Sequence, residues 1–363
     1  MLLIGIISQA LLYLCFSLLI GSFLIYLVPH THRPDINVKK GTLMIAIGGI
    51  AIFSSFPVLQ LILYLAPYDG FIKTLQSVLF SFEVGKSWIF TYIVSNLLFI
   101  FITWIDYRKN NLYAYIGIFF TFLLILALGW SSHAASLDEV KGFITHTTHF
   151  TAVSVWIGIL IVVSWFSKNH SNWLNFLKWF TPVALTCFVI TIVTGLILMA
   201  FVVEFKDYPN SWMIPYGQAL LIKHILIVPL LAYAVINSLL IKRKLKKDIS
   251  FNPKLWTKVE SLVILLIFSA TAALGQQSPP HATILTKETV SKIFTMLYQG
   301  HFKPEMTVQL VFNFTSISLM ILAALFLVLV IISFLKKLPA VMSFIMSLLF
   351  VFSIYLSLIL SIQ

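Results

Sequence analysis

The stretch GWSSHAASLDEVKGFITHTTHFTAVSVWIGIL, residues 129–160, sets a short polar segment directly before a long apolar one. Three histidines, His133, His146 and His149, lie where the two meet. The whole chain is 60% hydrophobic and only 10% charged, with 32 Phe among 363 residues, and its mean hydropathy is +1.00. The surface of a soluble globular protein does not tolerate this composition. The sequence therefore predicts an integral membrane protein.

Apolar segments of about 20 residues or more, the length a helix needs to cross the hydrocarbon core, recur along the chain. They predict an all-α fold, a polytopic helical bundle of about ten transmembrane helices. The first segment is too long for the core of a signal peptide and has no basic residue before it, so it is expected to be retained. The predicted spans are residues 2–28, 42–66, 87–105, 111–130, 143–166, 181–203, 215–241, 257–275, 308–335 and 340–362.

The basic residues divide unevenly between alternate loops. Cytoplasmic loops carry an excess of Lys and Arg, and 16 of the 24 basic residues fall on one side of the predicted membrane. The net charge of +12 therefore indicates topology, and no nucleic-acid partner is expected. Both termini and the segment WSSHAASLDEVKGF are predicted to be outside. The residues of the basic side are Arg33, Lys39, Lys40, Arg108, Lys109, Lys168, Lys178, Lys242, Arg243, Lys244, Lys246, Lys247, Lys254, Lys258, Lys336 and Lys337.

Several kinds of site are excluded by the same reading. Cys15 and Cys187 both fall inside apolar spans, so neither a disulfide framework nor a CxxC metal site is expected. The letters GKS at 85–87 are not a phosphate loop, because Phe80 stands where the first glycine of that motif must be. With no nucleotide-binding domain in the sequence, the protein is predicted to be neither an ATP-driven pump nor an enzyme.

The histidines are the candidate metal ligands. His146 and His149 are three residues apart, so on a helix they share a face and can converge on one ion. His133 is joined to that helix by a short connection and can fold back over it, and His281 follows the eighth span. Imidazole suits copper, zinc and iron, which predicts a transition metal. A lone histidine such as His281 is more often an interfacial residue. His224 and Lys223, inside the seventh span, have an ordinary reading too, in which Lys223 extends towards the interface and His224 bonds a neighbouring helix.

Five segments in a fixed order carry a resemblance to a known family: SSHA, HTTHFTAVSVWIGIL, TGLILMAFV, PYGQALLIKHILIVPLLAYAVIN and VESLVILLIFSATAALGQQSPP. Together they resemble the copper resistance D family over about residues 130–280. The resemblance implies a protein that moves copper inward across the bacterial plasma membrane. It puts His133, His146, His149 and Lys223 on the family's polar motif positions.

The resemblance also implies a division of the chain and a set of partners. The expected regions are a four-helix membrane region at 1–130, a copper-site membrane core at 131–280, an extracellular loop with an amphipathic helix at 281–307, and a two-helix membrane region at 308–363. No extracellular copper-binding domain is fused here, so copper is expected from a separate donor protein or from solution. The other expected partner is the lipid bilayer.

A shallow imidazole site favours Cu(II) or two-coordinate Cu(I), with Met199 and Met213 as candidate softer ligands. Two alternative functions remain open. One is a b-type haem electron carrier with His149 and His224 as axial ligands. The other is a copper-delivery or assembly factor that does not transport.

Overall fold

Ten helices of the computed structural model, which describes residues 1–300, 303 and 306–363, are long and apolar enough to cross a membrane. Each overlaps one predicted span, so the all-α, ten-span prediction is confirmed. The helices in chain order are α1 Leu2–Leu27, α2 Lys40–Phe53, α3 Phe56–Asp69, α4 Phe71–Phe80, α5 Glu83–Trp104, α6 Asn111–Trp130, α7 His133–Leu137, α8 Glu139–Phe166, α9 Trp173–Ala200, α10 Tyr208–Ser211, α11 Pro215–Val235, α12 Ile241–Lys247, α13 Lys254–Gly275, α14 Lys292–Leu297, α15 Phe314–Leu335 and α16 Ala340–Leu360.

Two spans differ from the sequence prediction for identifiable reasons. The second is broken into α2 and α3 at Ser54 and Ser55, just before Pro57, whose ring and missing N–H interrupt a helix. The fifth begins at Glu139, earlier than predicted, because the Asp138 carboxylate accepts a hydrogen bond from the Lys141 backbone N–H at 2.9 Å. This cap satisfies one of the amide groups left open at a helix start.

The chain forms two compact units, Met1–Phe201 and Val202–Gln363. In the first, α8 is central and packs against α1, α6, α7 and α9. Backbones of α1 and α8 meet at Gly21 and Gly158, where a Cβ on Gly21 would lie 2.1 Å from the Gly158 carbonyl carbon. Small residues allow such close approach between membrane helices, where dispersion contacts replace the hydrophobic effect as the main attraction. The contact at Gly21 and Gly158 sets the close spacing between α1 and α8 in the first unit.

The second unit is built on α11, which packs against α13, α15 and α16. A π-helical segment, Ile236–Leu240, connects α11 to α12, so the seventh span is continuous from Pro215 to Lys247. Buried polar contacts hold the helices: the Tyr233 hydroxyl lies 2.9 Å from the hydroxyls of both Ser343 and Ser347. In addition, the Gln218 side chain donates to the Trp212 carbonyl oxygen and accepts from the Tyr355 hydroxyl.

The predicted extracellular loop, 281–307, contains a helix where an amphipathic one is expected, but α14 is only six residues long. Phe294 of α14 is fully buried and packs with Trp212, Met213 and Phe350 in the apolar core of the second unit. The helix is therefore anchored by its own unit. Residues 301, 302, 304 and 305 of this predicted loop lie outside the described residues.

Candidate metal site

The helix α8 positions the two central histidines. It starts at Glu139 behind the Asp138 cap, so at a rise of 1.5 Å per residue His146 and His149 lie roughly 10 Å and 15 Å along the helix from its first residue. His149 is thus about 5 Å farther from the start of its helix than the predicted boundary implied, because α8 begins earlier. Both imidazoles are half-buried. They lie inside a membrane-spanning helix, where ionisable side chains are rare and mark sites or polar contacts.

His149 is held by a hydrogen bond to the neighbouring helix α9. Its Nδ1 lies 3.0 Å from Oγ1 of Thr194. The Thr194 hydroxyl donates its hydrogen to the Ile190 carbonyl oxygen at 2.6 Å, so towards His149 it can only accept. We therefore assign the Nδ1–H tautomer to His149, which leaves the lone pair on Nε2. In metal sites a second-shell bond of this kind orients the ring and fixes the ligating nitrogen.

The next residue of the same helix turn, Gly195, lies against the His149 ring. A Cβ built on Gly195 would be 3.4 Å from Cε1 and 3.7 Å from Nδ1 of His149. An alanine here would be in ordinary van der Waals contact with the ring, whereas a side chain larger than alanine would extend into the space of the imidazole. Gly195 and Thr194 together define the α9 surface on which the His149 ring rests.

His146 turns towards a different neighbour. Its ring stacks on Phe150, with centroids 6.4 Å apart and planes 11° from parallel. Phe150 in turn packs against Tyr13 and Phe16 of α1, at 5.5 Å and 5.2 Å between centroids. The two histidines of the predicted shared face therefore differ in their contacts, since His146 stacks on Phe150 of its own helix and His149 bonds to α9.

His133 is the first residue of the short helix α7, which Ser132 caps by accepting from the Ala135 backbone N–H. This helix folds back on the start of α8, since a Cβ on Gly142 would lie 1.9 Å from the Ala134 carbonyl oxygen. The His133 side chain is exposed. The fold-back expected from the short connection is present, with His133 at the end of the unit where α8 begins.

Among the described residues, no three His, Cys, Asp or Glu side chains come together as a metal-binding group. A converged set of His133, His146 and His149 is therefore not formed in this conformation. The first unit instead offers the half-buried pair of α8 with the exposed His133 nearby. Whether these residues bind a metal stays a prediction.

The remaining predicted ligands, His281, Met213 and Met199, have environments that differ from those of the α8 histidines. His281 lies in the second unit, is exposed, and its Nδ1 is 3.5 Å from the Val202 carbonyl oxygen. Met213 is buried in the apolar core of the second unit beside Trp212 and Phe294. Met199 is buried near the end of α9. The burial of both methionines fits apolar contacts, as for most methionines in helical cores.

His224 of α11 has a partner that the sequence did not reveal. The Tyr208 hydroxyl lies 2.7 Å from its Nδ1, and the two rings are 5.5 Å apart. Burial raises the pKa of Tyr208 to about 12, so this phenol stays neutral at physiological pH. The expected interpretation of His224, a hydrogen bond to a neighbouring helix, agrees with this bond, which joins α11 to α10 of the same unit. The adjacent Lys223 is half-buried in the span.

Thr194 and Tyr208 are the residues that sequence reasoning missed. A threonine in an apolar span and a tyrosine near a helix end are both ordinary in membrane proteins. The one available signal for Thr194 is its place in TGLILMAFV, which begins at this residue and forms part of the family resemblance.

Comparison with known proteins gives two matches that follow one another along the chain. Residues 1–143 match the family model described as "Copper resistance protein D-like, N-terminal domain", and residues 174–274 match "Copper resistance protein D". The first match extends the resemblance to the early spans. His133 lies within the first range, His146 and His149 lie between the two, and His281 lies beyond the second.

A curated relative is the "Copper transport protein CutJ" of Bacillus subtilis (strain 168). It is 28% identical over 296 residues, which cover 75% of this chain and 52% of the relative. The chain thus matches about half the length of that relative. No solved structure matches.

The two family models together match more than half of the chain, across seven of its ten candidate spans and the start of the fifth. Ten apolar helices agree with a multi-pass protein of the plasma membrane. On these grounds the chain belongs to the copper resistance D family.

Proposed function

We propose that this protein takes up copper across the bacterial plasma membrane and that histidines of α8 receive the ion on the outer side. The bond between His149 Nδ1 and Thr194 Oγ1 is the observation that carries the proposal. It orients an imidazole inside a membrane-spanning helix with Nδ1 as its N–H donor and Nε2 as its basic nitrogen, and imidazole suits copper well. His146, one helical turn away, is the proposed second ligand, and His133 on α7 is the proposed third.

A pair of histidines can bind copper in one of its two oxidation states without a third ligand. Two imidazoles suffice for two-coordinate Cu(I), whereas Cu(II) prefers more ligands in a tetragonal arrangement. We propose that His146 and His149 bind the ion first and that His133 joins as the exposed ligand when Cu(II) is bound. His281 is a separate candidate ligand on the second unit. The bound copper is the transported substrate, supplied by a donor protein or by solution.

Metal analysis of the purified protein, combined with copper accumulation in cells, tests this function. Protein from cells fed both iron and copper should retain copper in up to one-to-one amount, and cells lacking the protein should accumulate less copper. Poor growth of those cells should appear only when copper is scarce. Higher copper in the deletion strain would reverse the direction of transport, and unchanged copper with reduced oxidase activity would favour a delivery role without transport.

A haem electron carrier is the second candidate, because His149 has its Nδ1 bonded to a hydroxyl group. Axial haem histidines use Nε2 and bond through Nδ1 in the same way. An absorption spectrum of the purified protein separates the two functions. Copper transport predicts no Soret band, whereas a strong Soret band that vanishes in the His149→Ala variant would establish the electron carrier.

A further inference from the structure

A buried carboxyl group lies in the second unit, away from every candidate metal ligand of that unit. The Glu260 side chain on α13 is 5% exposed, and its Oε2 accepts a hydrogen bond from Asn237 Nδ2 at 2.6 Å. Asn237 is 6% exposed and belongs to the π-helical segment Ile236–Leu240. Glu260 is six residues from the start of α13 at Lys254, or about 9 Å along the helix.

The Glu260 carboxyl is not part of any ion pair found among the described residues. An isolated carboxylate is costly to bury, and such a group takes up a proton or acquires a partner. Glu260 is therefore expected to hold a proton in this conformation, and losing that proton requires the surroundings to change.

Asn237 is suited to both protonation states of Glu260. Its Nδ2 donates to Glu260 and also lies 3.4 Å from the Trp256 carbonyl oxygen, while its buried Oδ1 has no hydrogen-bond partner among the described residues. Amide orientation is an assignment made from such contacts. In the present orientation Nδ2–H donates to the carbonyl oxygen of the acid or to an oxygen of the carboxylate, and with the amide turned Oδ1 accepts the O–H of the acid. Buried polar atoms normally have a hydrogen-bond partner. In the turned orientation of the amide, the O–H of the protonated carboxyl is that partner for Asn237 Oδ1.

The backbone that carries Asn237 departs from a regular α-helix. A π-helical turn has a widened hydrogen-bond ladder and is common at functional sites. Two turns earlier in α11, Pro229 has no N–H to donate to the Ile225 carbonyl. The hydrogen-bond ladder of α11 is thus interrupted between His224 and Asn237.

Few other titratable groups face Glu260. The elements that pack against α13 include α11, the π-helical segment, α16 and, through Phe334 on Trp256, the end of α15, which Lys336 and Lys337 follow. Of their titratable groups, Tyr233 is near the carboxyl. Lys223 and His224 are more than ten residues from Asn237 along the same span, roughly 20 Å. Tyr355 of α16 is bonded to Gln218, near the start of α11. On α13 itself, Lys254 and Lys258 precede Glu260.

We propose that Glu260 and Asn237 form a proton-binding site, and that exchange of this proton accompanies copper transport. In the release step the carboxyl O–H bond breaks, the proton passes to water at the basic end of α13, and the carboxylate stays bonded to Asn237 Nδ2–H. In the return step water protonates the carboxylate. The coupling to copper rests on the proposed function, whereas the proton site stands by itself. Because Glu260 and Asn237 offer only oxygen atoms as ligands, the site suits a hard cation and is a poor site for copper.

Infrared spectroscopy of the purified protein tests the site without copper. The wild type should show a carboxylic-acid C=O band that converts to carboxylate as the pH is raised. The Glu260→Gln variant should lose this band, and the control variant Glu288→Gln, at an exposed glutamate of the outer loop, should keep it. The proposed proton site would be rejected if the carboxylic-acid band were unchanged in Glu260→Gln, or if it did not change with pH in the wild type.

Copper flux in proteoliposomes with an imposed pH gradient tests the coupling. One pH unit corresponds to a tenfold change per coupled proton, so the steady-state copper ratio of the wild type should shift by about 10-fold per unit. Glu260→Gln should transport without this response, and Glu260→Asp, which keeps a carboxyl, should recover part of it. An equal response in Glu260→Gln overturns the coupling and leaves copper transport standing. No copper flux in the wild type overturns the proposed function instead, and the infrared titration then decides the proton site.

Discussion

Nδ1 of His149 and Oγ1 of Thr194 lie 3.0 Å apart and join α8 to α9 within the first unit. Because the Thr194 hydroxyl hydrogen is already given to the Ile190 carbonyl oxygen, the pair has one sense, with the imidazole donating. The ring is therefore presented with Nε2 as its basic nitrogen. Several consequences can be measured.

Replacing Thr194 with Val removes the acceptor while keeping a similar volume. The His149 ring then loses its fixed tautomer and orientation, and copper affinity should fall by about 10-fold or more, as for other second-shell bonds. Competition titration of the purified protein with a copper chelator measures the change. Thr194→Ser keeps the hydroxyl and should bind nearly as the wild type does. Equal loss in both variants would show that the methyl group, and not the hydrogen bond, matters.

Gly195 gives a steric test of the same ring. A Cβ here would only touch His149 Cε1, at 3.4 Å, so Gly195→Ala should leave copper binding almost unchanged. Gly195→Leu would displace the imidazole and should lower affinity by about 10-fold, the scale expected when a ligand loses its orientation. Gly48→Leu, where a Cβ meets nothing within 4 Å, controls for a leucine added to a membrane helix. Normal binding by Gly195→Leu would place the copper site away from His149.

The histidines of α8 should each be required for copper binding. His146→Ala or His149→Ala removes one ligand of the pair, and affinity should fall by about 10-fold or more because chelation is lost. His170→Ala, on the basic side between α8 and α9, should bind as the wild type does. His133→Ala should weaken Cu(II) more than Cu(I), and His281→Ala tests the second unit by itself. The same stoichiometry and affinity in His146→Ala, His149→Ala and His170→Ala would reject the proposed site.

The sequence was sufficient for the fold because each span is a long apolar run, and hydrocarbon thickness sets its length. It was less accurate where a local side chain decides the boundary. The Asp138 cap lengthens α8, and Pro57 breaks the second span, although both residues are visible in the sequence. The distribution of basic residues carried no information about their burial. Arg33 is 2% exposed, with Nε donating to the Val28 carbonyl oxygen.

The candidate site was predictable only in part. Helical spacing placed His146 and His149 on one face, but it gave no information about which neighbours that face meets. His146 stacks on Phe150 of its own helix, whereas His149 bonds to Thr194 of α9, a contact that depends on how α8 and α9 pack. The same limit hid the Asn237 and Glu260 pair, since the two residues are 23 positions apart and meet across two helices.

Membrane orientation is the last prediction, and it decides on which side copper is first bound. The 16 basic residues of one side predict that this side is cytoplasmic. A cysteine at Ser136, which is exposed beside His133, should then react with an impermeant thiol reagent on intact cells. A cysteine at Ser250, exposed in the loop between α12 and α13, should react only after the cells are opened. The native Cys15 and Cys187 lie within spans and provide the background. If Ser250→Cys were labelled on intact cells and Ser136→Cys were not, His133 would face the cytoplasm, and the α8 histidines would belong to the release of copper inside or to its export.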